Sequence, residues 1–183
     1  METTKDQFWN KAMYWGFIIA LASMLLTTLY YINDNMFASS KSWFDTAIFV
    51  TGIVLCTLAY RKTIDEENDF PYSKALGLGV ATSFFASLIL ALFTFVLYNY
   101  IDPELVNESL LQAEEALIES GLNDDMIEMQ IDIARKYITP IVLSIQIIFA
   151  SIITGLIISL ISSIFLKRKT TNGFESAMNE LND

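Results

Sequence analysis

The side chains best able to do chemistry in this 183-residue chain are acidic, and ten of the 21 Asp and Glu residues lie in one segment. Between Asn99 and Lys136 there are ten Asp and Glu residues and two basic ones, a net charge of −8 against −10 for the whole chain. Such a segment offers a docking surface for a basic partner or for divalent cations. The alternative is a solvated face that keeps the segment out of the lipid headgroups, and the sequence leaves both open.

The residues that usually supply a general base, a metal ligand or a nucleophile are scarce. There is no histidine, and the one cysteine, Cys56, lies in an apolar run. Histidine is the commonest metal ligand and general base, and one cysteine cannot form an intramolecular disulfide. The acidic run 65–69 lacks the glycine of a calcium loop, because Phe70 follows it. We expect no catalytic residue, no metal site and no cofactor.

The elements that carry these residues are predicted to be membrane helices. The chain is 54% apolar, which is too high for an ordinary soluble domain. Four runs lack any charged residue: Ala12–Ile32, Thr46–Tyr60, Ala75–Tyr98 and Tyr137–Leu166. A membrane-spanning helix needs roughly 20 apolar residues, and the second run reaches this length if it starts at Trp43 with Asp45 at the headgroup level. The predicted spans are 12–32, 43–60, 75–98 and 138–166.

The basic residues predict how these helices are oriented. Lys and Arg of short loops collect on the cytoplasmic side. With four spans, one side of the membrane has Lys5, Lys11, Arg61, Lys62, Lys74, Lys167, Arg168 and Lys169, and the other has only Lys41, Arg135 and Lys136. This predicts cytoplasmic termini, a cytoplasmic tail over 167–183 and an extracytoplasmic acidic segment. The flank before the first run has no net positive charge, which favours a retained helix over a signal peptide.

The acidic segment is predicted to form two helices joined by a tight turn, over residues 102–136. Asp102 before Pro103 is a typical helix start, Gly121 suits a left-handed helix stop, and Asn123 suits a second N-cap. One apolar stripe on each helix indicates an αα-hairpin. The stripes are Val106, Leu110, Ala113 and Leu117, then Ile127, Ile131, Ala134 and Ile138.

The second hairpin helix carries more apolar surface than one partner helix needs. Met126, Met129, Ile133 and Tyr137 form a further stripe, and an acidic face that includes Glu108 and Glu115 lies on the first helix. We interpret five of these residues as a contact surface for a partner: Glu108, Glu115, Met126, Met129 and Ile133. The alternative is that the extra stripe rests on the lipid interface.

Small residues spaced four apart predict which spans pack together. The third span has Gly79, Ser83 and Ser87 in one row, and the fourth has Ser151, Gly155 and Ser159. Small side chains at this spacing let two helix backbones approach closely in lipid. Pro140 is predicted to act as a hinge between the hairpin and the fourth span, because proline removes a helical N–H and clashes with the preceding turn.

Four sequence stretches resemble one known family. They are FWNKAMYWG, FPYSKALGLG, YIDPEL and GLIISLISSIFLKRK. The chain is similar over nearly its whole length to a bacterial membrane protein family of unknown function, number 4199. That resemblance implies the inner membrane of Gram-negative bacteria and a periplasmic hairpin. The resemblance does not indicate any particular activity or any catalytic residue.

The sequence as a whole predicts an all-α, polytopic membrane protein. It has four transmembrane helices in one domain, 1–183, with an extracytoplasmic acidic αα-hairpin between helices three and four. We expect a non-enzymatic scaffold or accessory subunit that contacts membrane lipids and an extracytoplasmic protein, and no nucleic acid. The alternative is a small channel or carrier that acts as an oligomer, although pumps and carriers usually keep charged groups deep in their spans.

Overall fold

Helices make up every regular element in residues 4–63 and 71–166, the part of the chain that this computed structural model describes. The six α-helices are α1 (Thr4–Ile32), α2 (Ser39–Arg61), α3 (Tyr72–Val96), α4 (Leu105–Glu119), α5 (Asp124–Tyr137) and α6 (Pro140–Leu166). A π-helical turn, Leu97–Ile101, follows α3. The acidic run 65–69 and the tail 167–183 lie outside the described residues.

Four of these helices are long and apolar enough to cross a membrane: Asp6–Ile32, Ser39–Arg61, Tyr72–Ile101 and Pro140–Leu166. The predicted number of candidate spans is confirmed. The first helix begins at Thr4, well before the predicted start at residue 12. Its first turns are held by aromatic contacts, since Phe8 meets Tyr60 at 5.8 Å and Trp9 meets Phe85 at 6.1 Å between ring centroids. A charge-free run therefore marks the most apolar part of the helix and not its ends.

The third long helix is the centre of the bundle. It contacts α1, α2 and α6, and its contact with α6 is the most extensive of the three. A Cβ at Gly79 would overlap Ser159, and a Cβ at Gly155 would overlap Ser83. Because neither glycine has a side chain, the backbones of α3 and α6 come close together, as small residues allow in lipid.

Two apolar clusters fill the part of the bundle that is far from the hairpin. One cluster comprises Ala12, Cys56, Tyr60, Ala75 and Leu78. The other comprises Ile19, Ala20, Phe49, Ile53 and Ala86. Cys56 is fully buried, and its Sγ lies 3.3 Å from the Thr82 hydroxyl. These clusters close that part of the bundle with packed side chains.

The second hairpin helix begins as predicted, with Asn123 as its N-cap. The predicted start of the first at Asp102 and Pro103 is wrong, because α4 begins at Leu105 and its N-cap residue, Glu104, makes no side-chain cap. Asp102 bonds instead within the turn that precedes α4. Asp102 Oδ1 accepts a hydrogen bond from the Glu104 N–H at 3.1 Å, and Asn123 Oδ1 accepts one from the Met126 N–H at 3.0 Å. Gly121 has a φ of 78°, in the left-handed region that glycine adopts without strain. Ile127 and Ile131 are buried where α5 packs on α4.

The base of the hairpin is attached to the bundle by a residue outside the predicted stripe. Val106, in the stripe, is half-buried, whereas Leu105 is 2% exposed. Leu105 clusters with Leu97 and Tyr98 from the π-helical turn, against Tyr31. The first turn of α4 is therefore part of the bundle.

The helical structure is interrupted between the hairpin and α6. The fifth helix ends at Tyr137, Ile138 has a non-helical ψ of 75°, and Pro140 is the first residue of α6. Proline is favoured at this position because the first helical N–H needs no partner. The side chain of Thr139 accepts a hydrogen bond from the Val142 N–H at 3.4 Å. Pro140 is thus the first residue of a separate helix. The sequence predicted a bend at this junction, whereas the structure has two helices separated by non-helical residues.

Candidate functional site

The candidate site is a cavity of about 410 Å³ between the four long helices, at the end of the bundle that carries the hairpin. Helices α1, α2, α3 and α6 all line it. Its polar side chains include Ser23, Thr27, Lys41, Asp45, Thr94 and Gln146. A second cavity, of about 400 Å³, lies between α2 and α6 and shares Lys41, Asp45 and Ser151 with the first. The two cavities are therefore contiguous, and we call the second the α2–α6 groove.

An ion pair lies where the cavity and the groove meet. Lys41 and Asp45 are one turn apart on α2, and Lys41 Nζ lies 3.2 Å from Asp45 Oδ2. Their side chains are only 21% and 27% exposed. Asp45 Oδ1 is buried and has no hydrogen-bond partner. Buried polar atoms are nearly always hydrogen-bonded, so this oxygen has an unused capacity to accept a hydrogen bond.

The hydroxyl of Ser23 is a second unpartnered group in the cavity wall. Ser23 is 3% exposed, and its Oγ makes no hydrogen bond. Some other buried hydroxyls bond to their own helix, as Thr57 does to the Ile53 carbonyl at 2.9 Å and Ser83 does to the Gly79 carbonyl at 3.0 Å. The cavity therefore presents polar atoms that the bundle itself does not satisfy.

The chemistry that this arrangement offers is hydrogen bonding and charge pairing. Lys41 has donors left over after its bond to Asp45, and the unpartnered oxygen of Asp45 is an acceptor. Phe49, which is buried, lines the cavity and also belongs to the second apolar cluster. No group of three His, Cys, Asp or Glu side chains in the described residues could hold a metal ion.

The predicted contact residues of the hairpin all have exposed side chains. On α5, Met126 is 42% exposed, Met129 is 56% exposed and Ile133 is 49% exposed. Glu108 and Glu115 are exposed on α4.

The two predicted acidic residues lie in different surroundings. Glu108 lines a cavity of about 360 Å³ beside the α1–α2 connection. Glu115 accepts a 3.5 Å hydrogen bond from Gln112. The acidic face is therefore divided between the base of the hairpin and its outer part.

A hydrogen bond joins the hairpin base to α1. The Tyr31 hydroxyl donates to Asp102 Oδ2 at 3.1 Å, while the other oxygen of Asp102 accepts from the Glu104 N–H in the turn before α4. These two residues are 71 positions apart. Nothing in the local sequence pattern pairs them.

A family model described as "Protein of unknown function (DUF4199)" matches residues 14–168 of this chain. The chain belongs to this family. The resemblance noted in the sequence is thereby confirmed. No curated protein and no solved structure matches the chain.

The part of this DUF4199 chain that the family model matches contains both candidate surfaces, the cavity and the hairpin. Sequence reasoning identified the exposed hairpin residues and missed the cavity. Two signals were present: Lys41 and Asp45 are four apart at the start of α2, and Ser23 and Thr27 are four apart in α1. Each pair places two polar groups on one helix face. What brings the two faces together is the packing of the DUF4199 bundle.

Proposed function

We propose that this DUF4199 protein is a non-enzymatic integral membrane protein of the bacterial inner membrane, with its hairpin as a contact surface for a partner protein. The observation that carries the proposal is the apolar stripe on α5. Ile127 and Ile131 already pack on α4, yet Met126, Met129, Ile133 and Tyr137 remain exposed. Methionine suits adaptable binding surfaces because its side chain is flexible and polarisable. We call these four exposed residues the α5 stripe.

The charge of the hairpin supports a basic partner. Ten acidic and two basic residues lie between Asn99 and Lys136. Complementary charge raises the rate of association and selects among partners, and its effect weakens with salt. A partner with a basic rim around an apolar patch fits both features of the hairpin.

The basic residues support a hairpin on the extracytoplasmic side, with both termini in the cytoplasm. Arg61, Lys62 and Lys74 flank the α2–α3 connection, whereas Lys41 is the one basic residue in the stretch 33–60. Positive residues of short loops favour the cytoplasmic side. This orientation places the hairpin in the periplasm of a bacterium with two membranes.

The proposal is tested by site-specific photo-crosslinking of the full chain in intact membranes. A photoreactive residue at Met129 should form a discrete crosslink to one protein, and one at Leu111, which is 58% exposed on α4, should not. Met129→Ser with Ile133→Ser should abolish that binding. The matched control is Leu111→Ser with Ile118→Ser, because those residues are 58% and 57% exposed on the other hairpin helix.

Two results would contradict the proposal. Crosslinks from Met129 to lipid alone would show that the α5 stripe rests on the membrane interface. Equal loss of binding in the two double variants would show that the contact does not depend specifically on the α5 stripe. Glu115→Lys should weaken the contact more at low salt than at high salt, since exposed charges are screened over about 8 Å at physiological ionic strength.

A small carrier is the alternative function, and the polar cavity favours it. Unpartnered Asp45 and Ser23 atoms line a space of about 410 Å³ inside the bundle. The cluster around Phe49 and Ile53 lies next to this space. Uptake of a polar solute into vesicles that contain the purified protein, and its loss on Asp45→Asn, would favour the carrier.

A further inference from the structure

The α2–α6 groove opens on the outer surface of the bundle. Ser42 and Thr46 of α2 and Ala150 of α6 line it and are exposed. Phe49 is 7% exposed and lies at the inner wall, and Thr154 continues the wall along α6. If α2 and α6 span the bilayer, the mouth of this groove faces lipid and not water.

The charged pair of the groove lies near one end of the predicted span. Asp45 comes less than two helical turns after Ser39, the first residue of α2, and this separation is about 9 Å along a helix axis. Trp43, between Lys41 and Asp45 in sequence, is 79% exposed. Tryptophan is enriched at the membrane interface. The ion pair is therefore at the depth where a phospholipid headgroup meets its acyl chains.

The unused capacity of the ion pair is complementary to a zwitterion. Lys41 Nζ bonds to Asp45 Oδ2 at 3.2 Å. The ammonium retains two donors after this bond, which suits an anionic group. Asp45 Oδ1 has no partner, which suits a group that donates an N–H. A ligand that carries a phosphate and a primary ammonium side by side satisfies both, whereas a quaternary ammonium has no N–H to donate.

We propose that the α2–α6 groove binds a phospholipid with a primary ammonium headgroup, of the phosphatidylethanolamine type. The phosphate lies against Lys41, the ammonium donates to Asp45 Oδ1, and the start of an acyl chain lies along Phe49 and Thr154. This inference rests on membrane insertion and does not depend on the hairpin contact. The lipid site and the hairpin contact can therefore be disproved independently of each other.

Native mass spectrometry of the purified full chain tests the inference. The protein is given equal amounts of phosphatidylethanolamine, phosphatidylcholine and phosphatidylglycerol with identical acyl chains. We expect bound phosphatidylethanolamine to exceed phosphatidylcholine by about tenfold, since hydrogen bonds to a charged group are worth at least that factor. Asp45→Asn should remove this preference, and Lys41→Gln should weaken binding of all three lipids.

Matched variants separate loss of the site from loss of the fold. Ala150→Trp should block the groove and reduce binding of all three lipids, while Leu156→Trp, exposed on α6 but not in the groove, should not. Glu115→Gln removes a carboxylate from the hairpin and should leave the lipid preference unchanged. Thermal melting of each variant in detergent confirms that it is folded.

Three outcomes overturn the inference. The first is equal binding of phosphatidylethanolamine and phosphatidylcholine by the wild-type protein. The second is an unchanged preference in Asp45→Asn, or undiminished binding of the three lipids in Ala150→Trp. The third is displacement of the lipid by water-soluble phosphoethanolamine at millimolar concentration, which would show a site for a free solute.

Discussion

Buried serines in this protein differ in what their hydroxyls do. Ser83 of α3 bonds to the carbonyl of its own helix at 3.0 Å, whereas the hydroxyls of Ser159 and Ser163 on α6 have no partner. An unpartnered buried hydroxyl costs free energy, so its stabilising role cannot come from hydrogen bonding. Ser159 faces Gly79 at the closest approach of the two helices. At these positions the small size of the side chain matters more than its polarity.

Replacing Gly155 tests this role of small side chains. A Cβ at this position would overlap Ser83 and push the helices apart. Gly155→Leu should therefore lower the free energy of unfolding by about 1–3 kcal/mol, the usual cost of overpacking. Leu156→Ala should have a much smaller effect, since Leu156 is 39% exposed. Unfolding in mixed detergent micelles measures both. Ser159→Ala is the control and should be close to neutral, and a greater loss at Leu156 would mean that α6 packs through another face.

Tyr31 tests how firmly the hairpin base is held. Tyr31→Phe removes the hydroxyl that donates to Asp102 at 3.1 Å, and it should speed hydrogen exchange in the first turn of α4. Tyr30→Phe is the matched control, because its hydroxyl lies 3.0 Å from Ser40 on α2 and does not contact the hairpin. Equal exchange at residues 105–109 in the two variants would show that the buried Leu105 holds the base without the hydrogen bond.

The α4–α5 hairpin has a shape set mostly by its two ends and its turn. Asp102 accepts a backbone N–H in the turn before α4, Asn123 accepts one at the start of α5, and Gly121 adopts a φ of 78° at the turn between the helices. These interactions are local, so the hairpin needs few long-range contacts. Its anchorage is different, because Leu105 packs into the bundle. The conformation of the hairpin is therefore determined mostly by local interactions, and only its base is fixed to the bundle.

Two glycines in different conformations should respond in opposite directions to the same substitution. No atom lies within 4 Å of a Cβ built at Gly121. Gly121→Ala should nevertheless destabilise the hairpin by about 1–2 kcal/mol, because a side chain strains the left-handed conformation. At Gly77, inside α3, a Cβ meets only Phe8, at 3.8 Å. Gly77→Ala should therefore stabilise the protein by about 0.5–1 kcal/mol, the cost of a glycine inside a helix.

Urea melts followed by circular dichroism measure the effect of both substitutions. The two variants carry the same added methyl group, so each is the control for the other. A loss of stability at Gly77 equal to that at Gly121 would contradict the argument from backbone conformation.

Replacing the outer hairpin tests whether it is a separable module. A Gly/Ser segment of equal length in place of Leu111–Asp132 keeps the Leu105 anchor. It removes seven of the ten acidic residues of the segment and half of the α5 stripe, Met126 and Met129. The four long helices should remain folded, with an unchanged melting transition, and the crosslinked partner should be lost. A partner that stays bound would place the contact on the bundle or on the cytoplasmic side.

The molecule as a whole has one long helix that the bundle covers poorly. In its most apolar window α6 is 6% buried, against 28–33% for the other three long helices. One side of α6 packs, mainly on α3 and to a smaller extent on α2, and residues such as Phe149 and Ile153 are exposed. If α6 is embedded in a membrane, the apolar side chains of this face are suited to contact with lipid.

Reporter fusions test the orientation of the whole chain. Basic residues accumulate around Lys62 and Lys169, and such residues favour the cytoplasmic side. Fusions after these two positions should therefore report the cytoplasm, and a fusion near Gly121 should report the extracytoplasmic side. Activity of a periplasmic reporter after Lys169 would contradict this orientation. The most direct cause of that result would be failure of the short second helix to insert.

The sequence alone determined the elements that depend on neighbours in the chain. Charge-free runs predicted four membrane-length helices, and Gly121 and Asn123 predicted the turn of the hairpin and the start of its second helix. Helix periodicity and capping act over a few residues, so these features can be read from a short window. Helix ends were less accurate where packing extends a helix, as at Phe8.

Only the tertiary structure decided what lies between the elements. The Tyr31–Asp102 hydrogen bond, the burial of Leu105 and the groove beside Asp45 all join segments that are far apart in sequence. Small-residue rows predicted that the third and fourth spans approach closely, but they did not specify the register or the facing pairs, Gly79 with Ser159 and Gly155 with Ser83. Those depend on how side chains from several helices fill the same space, because each contact is fixed jointly by both surfaces.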